Sequence, residues 1–162
     1  MKRLTVITPT LNSELYIEDC IRSVKQISNR TNKIKHIIVD SYSNDKTLEI
    51  VRKYDLKIIF CPPGNIYNAI NLGIRSTEDE WITYINSDDL LDKNLKKEIE
   101  NLNDKFDILS GAIKIINVKY NTNYISRCLP KKLFFSSYFV GGMPIPQSGT
   151  IFSRKLFEEL NG

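Results

Sequence analysis

The chain opens on a β-rich apolar run, Leu4 to Thr8, closed by Pro9, after which Ile17, Cys20, Ile21, Val24 and Ile27 return at helical spacing. The pattern predicts a strand, a break at Pro9 and an amphipathic helix. Ile37-Ile38-Val39 is an unbroken apolar run, as expected of a strand covered on both faces, and Leu48 and Val51 mark a helix after it. The strand signal recurs at Lys57 to Cys61, before Pro62-Pro63-Gly64, and Ile66, Ala69, Ile70 and Ile74 then share one helical face. Trp81 to Ile85 reads as a fourth strand, and Leu95, Ile99 and Leu102 as the stripe of a fourth helix. After Phe106 the rhythm changes. Ile108 to Val118 and Tyr120 to Ile125 read as extended segments around Asn121-Thr122-Asn123, and Pro130, Gly141-Gly142, Pro144 and Pro146 break the next stretch into loop. Thr150 to Phe152 reads as a short strand before a helix at Lys155 to Leu160.

Strands alternating with helices predict an α/β domain with a largely parallel sheet, in which ligands gather beyond the carboxyl ends of the strands. Four predicted strand ends are polar: Thr8 to Asn12, Asp40 to Asp45, Pro63-Gly64-Asn65, and Asn86-Ser87-Asp88-Asp89. Each has a structural reading beside a chemical one. Asn12 or Ser13, Asn44 or Asp45, and Asn65 are all residues that cap helices, and Asp92 is placed to start the fourth. In the last cluster two adjacent carboxylates repel, and a divalent cation would relieve them; hard oxygen ligands at a strand end suit Mg²⁺ or Mn²⁺ bridging a diphosphate. Acidic pairs in loops are common, so spacing alone leaves both readings open.

Composition narrows the classes. At 162 residues, 41% of them hydrophobic, the length favours one domain spanning 1–162 with a single core. The net charge of +4 is spread along the chain, as a solvated Lys-rich exterior would give; it also suits a phosphorylated donor or an anionic membrane surface. Cys20, Cys61 and Cys128 lack any CxxC spacing, which argues against a disulfide framework or zinc site and for a reducing, cytoplasmic compartment. No stretch approaches a membrane span. His36, the single histidine, is expected at the surface or a strand edge, without a catalytic partner. Neither GxxxxGK[ST] nor GxGxxG is present. The aromatics Phe134, Phe135, Tyr138 and Phe139 read as packing rather than a stacking platform.

Taken in order, the clusters resemble the family 2 glycosyltransferases of the GT-A fold. Thr5 to Asn12 is similar to that family's opening strand and turn, and Val39 to Thr47 to its V-D-x-x-S-x-D-x-T segment. Ile66 to Ile74 resembles the I-Y-D-A-M-N-x-G-I helix of one subgroup, Trp81 to Asp89 its strand ending in N-S-D-D, and Pro146 to Phe152 a later motif. The resemblance implies a Rossmann-like sandwich with a mostly parallel sheet flanked by helices, and inverting transfer from a nucleotide-sugar donor, uridine first, to a glycan or lipid-linked acceptor in polysaccharide biosynthesis. It implies that Pro9, Thr10, Leu11, Asp40, Ser43, Asn65, Asn71 and Ser87 line the donor nucleotide, with Asp40 accepting from the base. Asp88 would ligate Mg²⁺ or Mn²⁺, and Asp89 and Gln147 would face the acceptor. The expected partners are donor and acceptor, not nucleic acid, with peripheral association at the inner face of a membrane compatible with this role.

Departures qualify the match. Leu11 stands where many relatives carry an aromatic ring, Asn68 replaces the subgroup's Asp, and Asn86 fills the first position of the D-x-D pattern. Leu156 to Gly162 resembles the helix preceding the segment that carries the catalytic base, so the base is expected beyond Gly162. A non-catalytic sugar-nucleotide-binding module of the same fold, and an unrelated α/β regulatory domain binding Mg²⁺, are the competing expectations.

Overall fold

The computed structural model describes residues 3–28, 33–103, 105–117, 121–126, 148 and 150–162. In chain order they form β1 (Arg3–Thr10), α1 (Ile17–Ile27), β2 (Lys33–Asp40), α2 (Thr47–Arg52), β3 (Lys57–Phe60), α3 (Ile66–Arg75), β4 (Trp81–Tyr84), α4 (Leu95–Glu100), β5 (Ile108–Ser110), β6 (Ile113–Asn117), β7 (Thr122–Ser126), β8 (Thr150–Ser153) and α5 (Arg154–Glu159). Six strands make one sheet in the order β3-β2-β1-β4-β8-β5. The first four run parallel, while β8 lies antiparallel to both β4 and β5. This is the mixed, mostly parallel α/β sheet that the alternation predicted.

Side chains alternate across the sheet and so divide the core into layers. Leu4 and Val6 of β1 pack with Cys20, Val24 and Ile27 of α1 and with Ile99 of α4. Ile7, Ile37, Val39 and Ile82 pack against Ala69, Ile70 and Ile74 of α3 on the opposite face. Ile38 meets Ile17, Ile21 and Val51. Gly73 sets how closely α3 can lie: a Cβ there would sit 2.6 Å from Ile7 Cγ2 and 3.0 Å from Val39 Cγ2. Only a residue without a side chain fits that contact without repacking both strands.

The edge at the strands' amino ends is closed by a buried carboxylate. Asp79 has no exposed surface and accepts from Thr5 Oγ1 at 2.8 Å and Lys35 Nζ at 3.0 Å. Arg154 donates to the carbonyls of Ile74, Thr77 and Asp79, tying α5 to the end of α3. A buried charge is tolerable only when paired and hydrogen-bonded in this way.

Several expectations change. Pro9 does not break the first strand; it lies within β1, opposite Val39. Position 9 faces β4, as Ile7 does, whose carbonyl takes Ile85 N–H, so the missing N–H interrupts none of the bonds to β2, with which β1 stays paired to Thr10. His36 is neither at the surface nor at an edge: β2 lies between β1 and β3, and the imidazole is buried with Nε2 2.9 Å from Thr8 Oγ1. The two extended segments after Phe106 divide into β5, which joins the main sheet, and the antiparallel pair β6 and β7, which forms a sheet of its own. Cys20 and Cys61 are unpaired and buried. Cys128, the 134–139 aromatics and the loop from Pro130 to Pro146 lie outside the described residues. No helix among the described residues is long and apolar enough to cross a membrane.

Burial pushes the His36 pKa down to about 3. The unfolded chain takes up this proton near pH 6.5 and the folded chain does not, so the stability is fully present above about 6.5 and is lost as pH falls toward 3. Urea titrations should show this group's contribution falling by up to about 1.4 kcal/mol per pH unit below 6.5. In His36→Gln the slope between pH 5 and 6.5 should flatten. An unchanged slope would mean that the folded protein accommodates the charged imidazole.

Candidate functional site

Because β1 to β4 are parallel, their four polar ends converge on one edge. The register Thr10↔Asp40 brings the loops after β1 and β2 side by side, and Ser41 N–H donates to the Thr10 carbonyl at 2.9 Å. Asp40 is fully buried; Oδ1 accepts Ser43 N–H at 2.9 Å and Oδ2 accepts the Ser43 hydroxyl at 2.6 Å. Ser43 Oγ in turn accepts from Asn12 N–H, and Asn12 Oδ1 accepts from Asn44 N–H, both at 2.9 Å. Ser13 N–H donates to Thr47 Oγ1 at 2.7 Å, Glu14 N–H to Asp45 Oδ2 at 3.0 Å, and Lys46 N–H to Glu14 Oε2 at 2.9 Å. These bonds strap the two loops together. Ser13 Oγ also meets Ser87 Oγ at 2.8 Å, joining the β4 loop to the same assembly.

Several polar residues therefore act on neighbouring loops rather than as simple caps. α1 starts without a side-chain cap: the Ser13 carbonyl accepts from Tyr16 and Ile17, while Asn12, at φ 50°, reaches across to the second loop. Asp45 both receives Thr47 N–H at 2.9 Å and holds Glu14. Burial raises the Asp45 pKa, but the Thr47 and Glu14 donors outweigh it and hold the carboxyl below its ordinary value. Asn65 does cap α3, accepting Tyr67 N–H at 2.9 Å. Asp92 accepts Asn94 N–H at 2.8 Å just before α4.

Two groups stand apart from these bonds. Thr10 Oγ1 is buried and has no hydrogen-bond partner among the described residues. Asp88 is exposed and free of hydrogen bonds and ion pairs there, whereas its neighbour Asp89 receives the Ser148 hydroxyl and, at 3.2 Å, the Asn86 amide. No group of three or more His, Cys, Asp or Glu side chains suited to an ion occurs among the described residues. The open Asp88 carboxylate fits an ion that draws most of its shell from phosphate oxygens and water. Pro9 is buried, Leu11 exposed and Asn71 half-buried on α3; Gln147 lies outside the described residues. Cys20 is no nucleophile: burial, with the Asp89 and Asp88 charges, pushes its thiol up to about 12.

Beside Asp89, a cavity of about 170 Å³ is lined by Ile66, Tyr67, Ile70, Tyr84, Asn86 and Ser148. Burial and the nearby Tyr67 raise the Tyr84 pKa. Asn86 belongs to the polar β4 end that the sequence marks, but the sequence does not mark Tyr67 or Tyr84 as site residues. Tyr67 had a signal, an aromatic in the first turn of α3 away from the apolar face; Tyr84 had none, since it reads as strand core.

A Rossmann-like sandwich with polar parallel-strand ends and an N-S-D-D turn has the architecture of the GT-A transferases. The chain belongs to glycosyl transferase family 2, whose model matches residues 5–160. It is 30% identical over 125 residues to poly(ribitol-phosphate) β-N-acetylglucosaminyltransferase TarS of Staphylococcus aureus, covering 72% of this chain and 22% of TarS. It is 28% identical over 142 residues to the S. aureus enzyme TarP of the same description, covering 83% of this chain and 41% of TarP. The crystal structure of S. aureus TarS 1-349 in complex with UDP superposes with TM-score 0.71 and 27% identity, over 99% of this chain and 49% of that one. The Pyrobaculum calidifontis mannosyltransferase PcManGT, solved with GDP-Man and Mn²⁺, shares the fold at TM-score 0.65 and 23% identity, over 98% of this chain and 46% of that one. The chain thus spans less than half the length of these curated relatives.

An isosteric Thr10→Val change removes a buried hydroxyl that has no partner. It should raise the stability of the ligand-free protein by about 1 kcal/mol in urea unfolding. A loss of stability instead would show that the hydroxyl is bonded.

Proposed function

We propose that the chain is the donor-binding part of an inverting, metal-assisted glycosyltransferase that moves a sugar from UDP to a glycan or lipid-linked acceptor in polysaccharide synthesis. The observation that carries this reading is the division at the carboxyl edge. Much of its polar chemistry locks the loops together, while Asp88 stays exposed and unbonded and Thr10 Oγ1, though buried, is left without a partner among the described residues. The UDP complex of TarS and the acceptors named for TarS and TarP support uridine and a polymeric acceptor. An acceptor of that kind is compatible with a position at the inner face of a membrane.

In this reading Pro9, Thr10, Leu11, Ser43, Asn65, Asn71 and Ser87 surround the nucleotide. Asp40 reads the base through lone pairs that Ser43 leaves unused, which requires the Ser43 turn to open, since the carboxylate is closed to solvent. Asp88 would hold Mg²⁺ or Mn²⁺, which when bound offsets the charge growing on the leaving diphosphate. Asn86 and Ser148 orient Asp89 toward the acceptor side, with Gln147. The acceptor hydroxyl oxygen attacks the anomeric carbon opposite the diphosphate. The bond from the anomeric carbon to the diphosphate oxygen breaks with its electron pair leaving on the diphosphate, and the hydroxyl proton passes to a carboxylate.

The described carboxylates near the edge are taken. Asp88 faces the ion and Asp89 is held by two donors, while Glu158 and Glu159 lie on α5, which Arg154 ties to the opposite, amino edge of the sheet. Together with the family resemblance, this supports a base supplied by polypeptide beyond residue 162.

A thermal-shift panel of UDP, GDP, dTDP and CMP, each with and without Mn²⁺, tests donor binding. UDP with Mn²⁺ at one hundred times Kd should stabilise the chain by about 2 to 3 kcal/mol. In Asp88→Asn the Mn²⁺-dependent part should vanish; if it persists, Asp88 is not the ligand. Release of UDP from a UDP-sugar in the presence of acceptor should be slower for residues 1–162 than for a longer polypeptide by about 10² to 10⁴, the usual worth of a general base. Turnover by residues 1–162 at about 1 s⁻¹ or faster would put the base within them.

A further inference from the structure

The loop after β2 contains a tyrosine in a conformation that a tyrosine rarely adopts. Tyr42 has φ 61°, in the left-handed region that bulky residues avoid and Gly or Asn tolerate. Its ring is nevertheless 60% exposed, so burial of the side chain does not explain the strain. It stacks on Phe60, with ring centroids 5.5 Å apart and planes inclined by 24°, and Phe60 is itself 45% exposed.

The pair adjoins the proposed nucleotide pocket. Phe60 is the register partner of Asp40, and Cys61 N–H donates to the Asp40 carbonyl at 3.0 Å. Tyr42 immediately precedes Ser43, which bonds both Asp40 and Asn12, and the exposed Leu11 immediately precedes Asn12. Leu11 and Tyr42 thus flank one hydrogen-bonded contact, near the unpartnered Thr10 hydroxyl.

We infer that Tyr42, backed by Phe60, is the stacking platform for the donor's nucleobase, doing from the second loop what Leu11 cannot do from the first. This rests on the nucleotide-sugar reading of the edge and names a specificity element within it. A base has a π-face that an aromatic ring holds well and an aliphatic side chain holds less well, and the apolar Leu11 would border the base from the other loop. Phe60 supports the tyrosine ring from behind, so that its exposed face is already oriented for the ligand.

The test is calorimetry with Mn²⁺ on two probes, inorganic pyrophosphate and the nucleoside diphosphate that the wild-type chain binds most tightly among UDP, GDP, dTDP and CDP. Tyr42→Asn, a residue that accepts the left-handed backbone, should keep or raise the thermal midpoint while weakening nucleotide binding by about fivefold or more. Phe60→Ala should weaken it in the same direction, Tyr42→Phe should retain it, and pyrophosphate binding should not change in any variant. Nucleotide affinity unaltered in Tyr42→Asn would overturn the inference and leave the donor reading standing. A parallel loss of pyrophosphate binding would also overturn it, by showing that the loop and not the ring matters. If the wild-type chain binds none of the four nucleotides, the donor reading fails and the platform with it.

Discussion

The parallel pairing of β1 with β2, in register from Arg3↔Lys33 to Thr10↔Asp40, is the constraint on which the rest depends. A shift of one residue would turn every side chain of one strand to the other face. Val39 would leave its place against α3 and Ile38 its place against Ile17 and Ile21. The same register decides whether Asn12 can meet Ser43 and Asn44, and whether Ser13 can meet Thr47. Core and site are thus fixed by one ladder, because loops that leave neighbouring strand ends can bond each other only when those ends are level.

The sheet treats its two edges differently. At the amino edge Asp79 is buried and surrounded by donors, and Arg154 satisfies three carbonyls near the end of α3, which suits permanent closure. At the carboxyl edge Asp45 and Asp89 are hydrogen-bonded to neighbouring loops, but Asp88 stays exposed. Keeping an acidic group exposed avoids the cost of burying it. The short, antiparallel contribution of β8 matters here, since it brings Ser148 beside Asp89 and joins the later part of the chain to the β4 turn.

The family was legible in the sequence through the resemblance of its ordered motifs, and the mostly parallel α/β sheet through the apolar runs, because strands covered on both faces are unbroken apolar segments whose polar ends follow at once. The alternation of Ile37 to Val39, Lys57 to Cys61 and Trp81 to Ile85 with helical stripes determined the layers, and the capping role of Asn65 was visible from its place before α3. The tertiary structure decided what local pattern cannot express. Pro9 stays in a strand because its missing donor faces away from β2, with which β1 remains paired to Thr10, and His36 is buried because β2 happens to lie between two neighbours. Asp40 and Ser43 look like free ligands in sequence and are bonded to each other in the fold, whereas Thr10, expected at the same pocket, is buried with an unpartnered hydroxyl. Hydrophobic period is a property of one segment, so the sequence carries it. Which polar group is satisfied depends on donors and acceptors more than thirty residues away, such as Asn44 for Asn12 and Ser148 for Asp89, and only the packed sheet brings those together.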